Sequence, residues 1–154
     1  MSFSVDMSQL TGLGEQLRQF GAEVHEHVAL DGAAAMANVV YSRARLLAPV
    51  SEHAHIFYGR NSKRTGVTYT FQPGNLQRAI YRAFSPEKSG ATRKEYRISW
   101  NHYKAPYGHM VEFGTSTAAA HPFLGPSLSS LPEAFAAAKV EMGASLLALQ
   151  RSRG

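Results

Sequence analysis

The chain has 154 residues, and 44% of them are hydrophobic, but 22 of those are alanine, and Leu, Ile, Val and Phe together number only 33. With no cysteine, a disulfide framework, a thiolate zinc site and a thiol nucleophile are excluded, and no run approaches the roughly 20 apolar residues of a membrane span. The net charge of +5 comes from the middle of the chain: residues 60–104 hold ten basic and two acidic side chains, residues 1–59 hold three and six, and residues 105–154 hold three of each.

These values fit a single domain over residues 1–154. Its core must be thin, so either Ala-rich helices approach closely or a partner covers part of the apolar surface. Met1 to Leu10 has neither a basic start nor an apolar stretch, so a secretory signal is not expected and the compartment should be cytosol-like.

The first periodic stretch is Leu10, Leu13, Leu17, Phe20, Val24 and Val28, whose steps of three and four mark one helical face. Ser8 is a candidate N-cap, and Asp31-Gly32 reads as a break. A second helix is predicted over 33–47, with Ala33, Met36, Ala37, Val40, Ala44 and Leu47 on one face, ended by Ala48-Pro49. Residues 49–74 have no helical period, and a connection of that length is usually functional or ordered in an assembly. Within it, Thr65 to Phe71 is β-branched enough for a strand or hairpin arm.

Leu76 to Phe84 begins either as a short helix or directly as a strand. Residues 95–102 alternate, with Tyr96, Ile98 and Trp100 on one side and Arg97, Ser99 and Asn101 on the other. They pair as an antiparallel hairpin with 78–84. A short helix follows over 106–113, with Pro106 in its first turn and Gly114 as its stop. His121 to Pro126 reads as extended. Ser130-Leu131-Pro132-Glu133 has the capping-box spacing before a last helix with Phe135, Met142, Leu146 and Leu149 on its apolar side. The expected class is α+β: N-terminal helices and a C-terminal helix packed on a small antiparallel sheet, with a long loop at about 50–73.

Chemistry has little support in this sequence. His25-x-His27 would point its imidazoles about 200° apart on a helix, and His53-x-His55 would share a face only in a strand. No His-Glu-x-x-His spacing, nucleophile elbow or phosphate-binding glycine loop is present. No cofactor, metal, membrane or small-molecule partner is therefore expected, and the reading is non-enzymatic. Glu112, between two apolar residues, is read as a cap or as the partner of a nearby cation rather than as a base. The basic segment interleaves Tyr58, Tyr69, Phe71, Tyr81, Phe84, Tyr96, Trp100 and Tyr103 with its cations, the composition of a nucleic-acid binder. The alternation over 96–101, however, separates core aromatics from solvated cations.

The most specific stretch is Tyr107-Gly108, then Val111-Glu112-Phe113-Gly114-Thr115, a small-residue loop, and Pro122-Phe123-Leu124-Gly125-Pro126. It resembles the HK-97 gene-product-ten-like tail-component family of long-tailed phages and prophages. Ala48-Pro49, the element from Gly74 to Ile80, and Ser99 to His102 fit the same pattern, so the likeness runs along nearly the whole chain. Two positions depart from it: Gly125 stands where a long residue is common, and Ser127 where alanine is usual.

The resemblance implies a virion structural protein at the head–tail junction, made in the bacterial cytoplasm and acting in tail completion or head–tail joining. It also implies a small α+β subunit in a ring, commonly hexameric, around the DNA channel. The implied partners are further copies of the chain and other neck and tail proteins, with DNA close by in the channel. The motif residues Tyr107, Val111, Glu112, Phe113, Gly114, Thr115, Pro122, Phe123 and Pro126 are read as structural. Phe113 is expected to anchor the turn in the core, and Phe123 to pin an extended segment that Pro122 and Pro126 keep out of a helix. Arg60, Lys63, Arg64 and Tyr69 are the candidates for intersubunit or DNA-facing contacts. The alternative reading is a basic nucleic-acid-binding module using residues 60–104.

Overall fold

A computed structural model describes residue 15 and residues 18–90 and 93–152. The candidate cap Ser8, and Leu10, Leu13, Leu17 and Arg153, lie outside the described residues. The chain is α+β, with two antiparallel hairpins set among helices.

The N-terminal part is one continuous helical run rather than two helices. Residues 18–23 are helical, Val24–Val28 form a π turn, and α1 continues over Ala29–Leu47. The break expected at Asp31-Gly32 is absent. Gly32 is instead buried within the helix, and a Cβ there would fall 2.5 Å from Met142 Cγ. This glycine lets the last helix, α6 (Leu131–Arg151), lie against α1. Asp31 accepts a hydrogen bond from the Ser145 hydroxyl across the same interface. A local stop signal has been used for close helix packing, which a single-chain pattern does not distinguish from a cap. Ala48-Pro49 does end α1: Ala48 turns to the extended region at ψ 122.

The connection at 50–73 carries structure of its own. β1 (His55–Tyr58) pairs antiparallel with β2 (Thr68–Phe71), His55 opposite Phe71 and Tyr58 opposite Thr68. Between them α2 (Ser62–Thr65) is a single helical turn. The 76–84 ambiguity resolves as both elements in succession, α3 (Asn75–Ala79) leading directly into β3 (Ile80–Phe84). β3 pairs with β4 (Tyr96–Trp100), Ile80 opposite Trp100 and Phe84 opposite Tyr96. The face carrying Ile80, Ile98 and Trp100 is the one buried among the core residues. Then come α4 (Gly108–Phe113), α5 (Leu124–Ser127) and, through a 3-10 turn at Leu128–Ser130, α6.

The core cluster joins Ala44 and Ala48 of α1 and its end, Leu76 and Ala79 of α3, Ile80 and Trp100 of the β3–β4 hairpin, Ala105 and Phe123. Of the thirteen buried hydrophobic residues among the described residues, seven are alanine. Close approach therefore replaces bulk, and among the described residues Phe123 is the largest side chain that is fully buried. Its ring meets Trp100 edge-on, with centroids 5.8 Å apart.

The last helix departs from the sequence expectation in two ways. Its buried residues are Ala134 and Ala138, while Phe135 and Met142 are exposed. The alanines are the fully buried positions because α6 lies close to α1 there, while the Met142 side chain reaches the same interface only over the bare Cα of Gly32, and Leu146 and Leu149 are half-buried. The Ser130–Glu133 capping box is not formed: the Ser130 hydroxyl donates to the Ser127 carbonyl at 2.7 Å. The chain enters α6 from a 3-10 turn, so the helix has no extended N-cap for a side chain to complete.

Candidate assembly site

The motif residues build two fixtures that meet at α4. The first is a clamp on the chain after the small-residue loop. Glu112 projects inward from α4 and is buried. Its Oε2 accepts hydrogen bonds from the Phe123 N–H at 2.7 Å and the Leu124 N–H at 3.0 Å, and its Oε1 accepts from the Gly125 N–H at 3.0 Å. These are the otherwise orphaned donors at the start of α5. Burial pushes the carboxyl's pKa up, but the backbone donors of Phe123, Gly125 and Leu124 outweigh it and hold the pKa below the ordinary glutamate value. Glu112 thus remains an anion, a cap for a helical turn eleven to thirteen residues further on.

Gly114 ends α4 at φ 76, ψ −179, a region reserved for glycine. A Cβ there would lie 2.9 Å from the Ala120 nitrogen. Thr115 shapes the loop beyond: its N–H donates to the Ala118 carbonyl at 2.9 Å, and its Oγ1 accepts from the Ala118 N–H at 3.0 Å. The His121 N–H closes the loop onto the Val111 carbonyl at 2.8 Å, while the Val111 side chain packs against the core. Phe123 is then fully buried.

Two expectations for this motif are corrected. Phe113 does not anchor the turn; it is 77% exposed. One turn of helix presents Glu112 and Phe113 in different directions, and the clamp requires Glu112 to take the inner one. Residues 121–126 are not extended throughout, since Leu124–Ser127 is a helical turn with Pro126 inside it. Pro126 fits because the first turn of a helix needs no N–H from it. Pro122 and Pro126 are both exposed.

The second fixture holds the β1–β2 hairpin. The Tyr107 ring lies 4.9 Å from His55, 5.0 Å from Phe71 and 6.1 Å from Phe57, centroid to centroid. Its hydroxyl accepts a hydrogen bond from Asn75 Nδ2 at 3.2 Å. Asn75 also donates to the Lys104 carbonyl at 2.7 Å, and Gln77 Nε2 donates to the Arg45 carbonyl at 3.0 Å, tying α3 to the end of α1. The Gly74–Ile80 element carries these amides, whose roles have no signal in residue spacing because their acceptors lie about 30 residues away in the chain. A cleft of about 390 Å³ opens beside this fixture, lined by Pro49, Val50, His55, Leu76, Tyr107 and Val111 among others.

Beyond its aromatic base the hairpin stands free of large packing. Ile56, Tyr58, Val67 and Tyr69 are exposed, and Arg60, Lys63 and Arg64 sit at the tip. Tyr69 therefore lies on the same hairpin as the three cations. The histidines are dispersed: His27, His53, His109 and His121 are exposed, His55 is in the aromatic base, and His102 lies 5.0 Å from the Trp100 ring. Among the described residues no group of three or more His, Asp or Glu side chains is placed to hold a metal ion, and no helix is long and apolar enough to cross a membrane. Comparison with family profiles, with curated proteins and with solved structures finds no match for the chain.

Proposed function

We propose that this chain is a structural subunit of a long-tailed phage or prophage, working in tail completion or head–tail joining as a ring around the DNA channel. The phage assignment rests on the residues from Tyr107 to Pro126 and their likeness to the tail-component family. The observation that carries a subunit role is the apolar surface that one copy leaves uncovered. Tyr103 is 98% exposed, Phe113 77%, Leu46 76% and Val140 74%, and Phe135 and Leu147 are each more than half exposed. Single exposed apolar residues are ordinary on a monomer. Here they accompany a core in which alanine outnumbers every other residue type, and such surface is buried by neighbours in an assembly.

Phe113 supports the same reading. It is an aromatic side chain held outward on a turn that Glu112, Gly114 and Thr115 make rigid. Rigid aromatic anchors dominate binding energy at interfaces. Loss of the gene from its phage or prophage tests the proposal. The expected outcome is filled heads and tails that fail to join, restored by the wild-type chain and not by Phe113→Ser. Normal yields of joined particles without the gene would overturn it.

A further inference from the structure

We infer that the tip of the β1–β2 hairpin is a binding surface for the phosphate backbone of duplex DNA, inserted as a two-stranded ribbon. Residues 53–86 contain no Asp or Glu at all. Within them the tip, 59–66, reads Gly-Arg-Asn-Ser-Lys-Arg-Thr-Gly: three cations, no carboxylate and no apolar side chain. Arg60, Lys63 and Arg64 are exposed, and the ion pairs among the described residues, Glu15–Arg18, Lys88–Glu95 and Arg93–Glu95, include none of them.

The tip is also ordered. The Ser62 N–H donates to the Gly59 carbonyl at 2.9 Å, the Thr65 N–H to the Asn61 carbonyl at 2.9 Å, and the Gly66 N–H to the Ser62 carbonyl at 2.7 Å. Its charges are therefore presented on a preformed turn rather than gathered on binding.

The chemistry of the tip selects the partner. Protein interfaces centre on a desolvated apolar patch with a polar rim; the tip itself has no such centre, and the apolar side chains that flank it are split, Ile56 and Tyr58 on one face of the strands, Tyr69 on the other and Val67 beside Gly66. Arg, Lys, Asn, Ser and Thr are the side chains that contact phosphates, and they make up the tip apart from its glycines. A two-stranded antiparallel ribbon fits the major groove of a duplex. A single strand fits less well. Tyr58 pairs with Thr68 and Tyr69 with Phe57, so the two exposed tyrosines lie on opposite faces of the ribbon and cannot form one stacking platform for successive bases. The inference stands on the hairpin alone and does not depend on ring formation.

The test is fluorescence anisotropy of the full chain with a labelled 20-base-pair duplex, titrated at several salt concentrations. The wild type is expected to bind at low salt without sequence preference. The variant R60Q/K63Q/R64Q is expected to bind at least about tenfold more weakly and to lower the log–log salt slope by about 2.7, roughly 0.9 for each phosphate no longer neutralised. R82Q/R97Q/K139Q removes equal charge from exposed positions elsewhere and is expected to bind much as wild type does; circular dichroism of both variants reports whether they fold. No binding at low salt, equal weakening in the two variants, or tighter binding of the matching single strand would each overturn the inference. So would polyglutamate competing as effectively as duplex, which would assign the tip to an acidic protein face. Joining of heads to tails by the tip variant is read separately, so failure here leaves the assembly proposal standing or falling on its own experiment.

Discussion

The β3–β4 and β1–β2 hairpins are both two-stranded and antiparallel, with four or five residues per strand, yet the chain holds them by different means. β3–β4 is part of the core. Ile80 and Trp100 are buried at its open end, Ile98 packs beside them, and α1 lies across both strands. β1–β2 is fastened at its base by His55, Phe57 and Phe71 around a single tyrosine, Tyr107, and its outer half is exposed. An isolated two-stranded hairpin is marginal in water, so the second hairpin depends on that one fixture.

The basic middle segment is divided accordingly. On β4 Tyr96 and Trp100 turn inward and Arg97 outward, and on β3 Tyr81 and Phe84 lie at the margin of the core beside the exposed Arg82. On β1–β2, aromatics and cations are exposed together. A single compositional feature, spread over 60–104, therefore has two structural meanings.

The largest effect should come from the core that holds β3–β4. Phe123→Ala removes the bulkiest fully buried side chain and its edge-on packing against Trp100, and should cost about 4 kcal/mol. Chemical denaturation should show it as a lower midpoint with an unchanged slope.

Next is the clamp. Glu112→Gln leaves buried backbone donors without a full set of acceptors and should cost about 3 kcal/mol. The pH dependence gives a second measurement. The folded carboxyl titrates below its unfolded value, so its contribution is complete above the unfolded pKa of about 4.3 and is lost as pH falls through the lower, folded value. Wild-type stability should therefore fall in acid by more than that of the Gln variant, and parallel curves would contradict the clamp.

Tyr107→Ala should cost about 2 kcal/mol, concentrated in one place. Hydrogen exchange should accelerate at amides of 55–71 while 80–84 and 96–100 keep their protection. Equal acceleration in both hairpins would show that they are held alike. The smallest effect belongs to Tyr58→Ser: at 68% exposure the change should stay within about 0.5 kcal/mol, and a greater destabilisation would mean that the outer half of the arm is packed after all.

Much of this architecture is legible from local pattern. The period-two run at 95–102 and its pairing with 78–84 are there, because alternation and a turn-rich interval specify a hairpin with little help. The stop at Ala48-Pro49 is there because proline excludes its predecessor from the helix. Gly114 is readable as a helix stop and Glu112 as a cap. Which donors Glu112 caps is not readable, because they lie on a different element. The β1 strand, His55 to Tyr58, lies inside a stretch that reads as loop, since four residues next to Gly59 and three cations carry too short a period to register.

Residue order alone is enough to place most of the elements and their punctuation, to exclude thiol chemistry and to concentrate positive charge between 60 and 104. Which side chains those elements bury is settled only when they pack. Phe113 and Phe123 are ten positions apart in one motif, and the first is exposed while the second is fully buried. Gly32 reads as a stop and serves as a contact. The physical reason is common to all three. Local periodicity sets the angle between neighbouring side chains, but the face that turns inward is chosen by the best available partner, whether three N–H groups for Glu112, an indole ring for Phe123 or a second helix for Gly32.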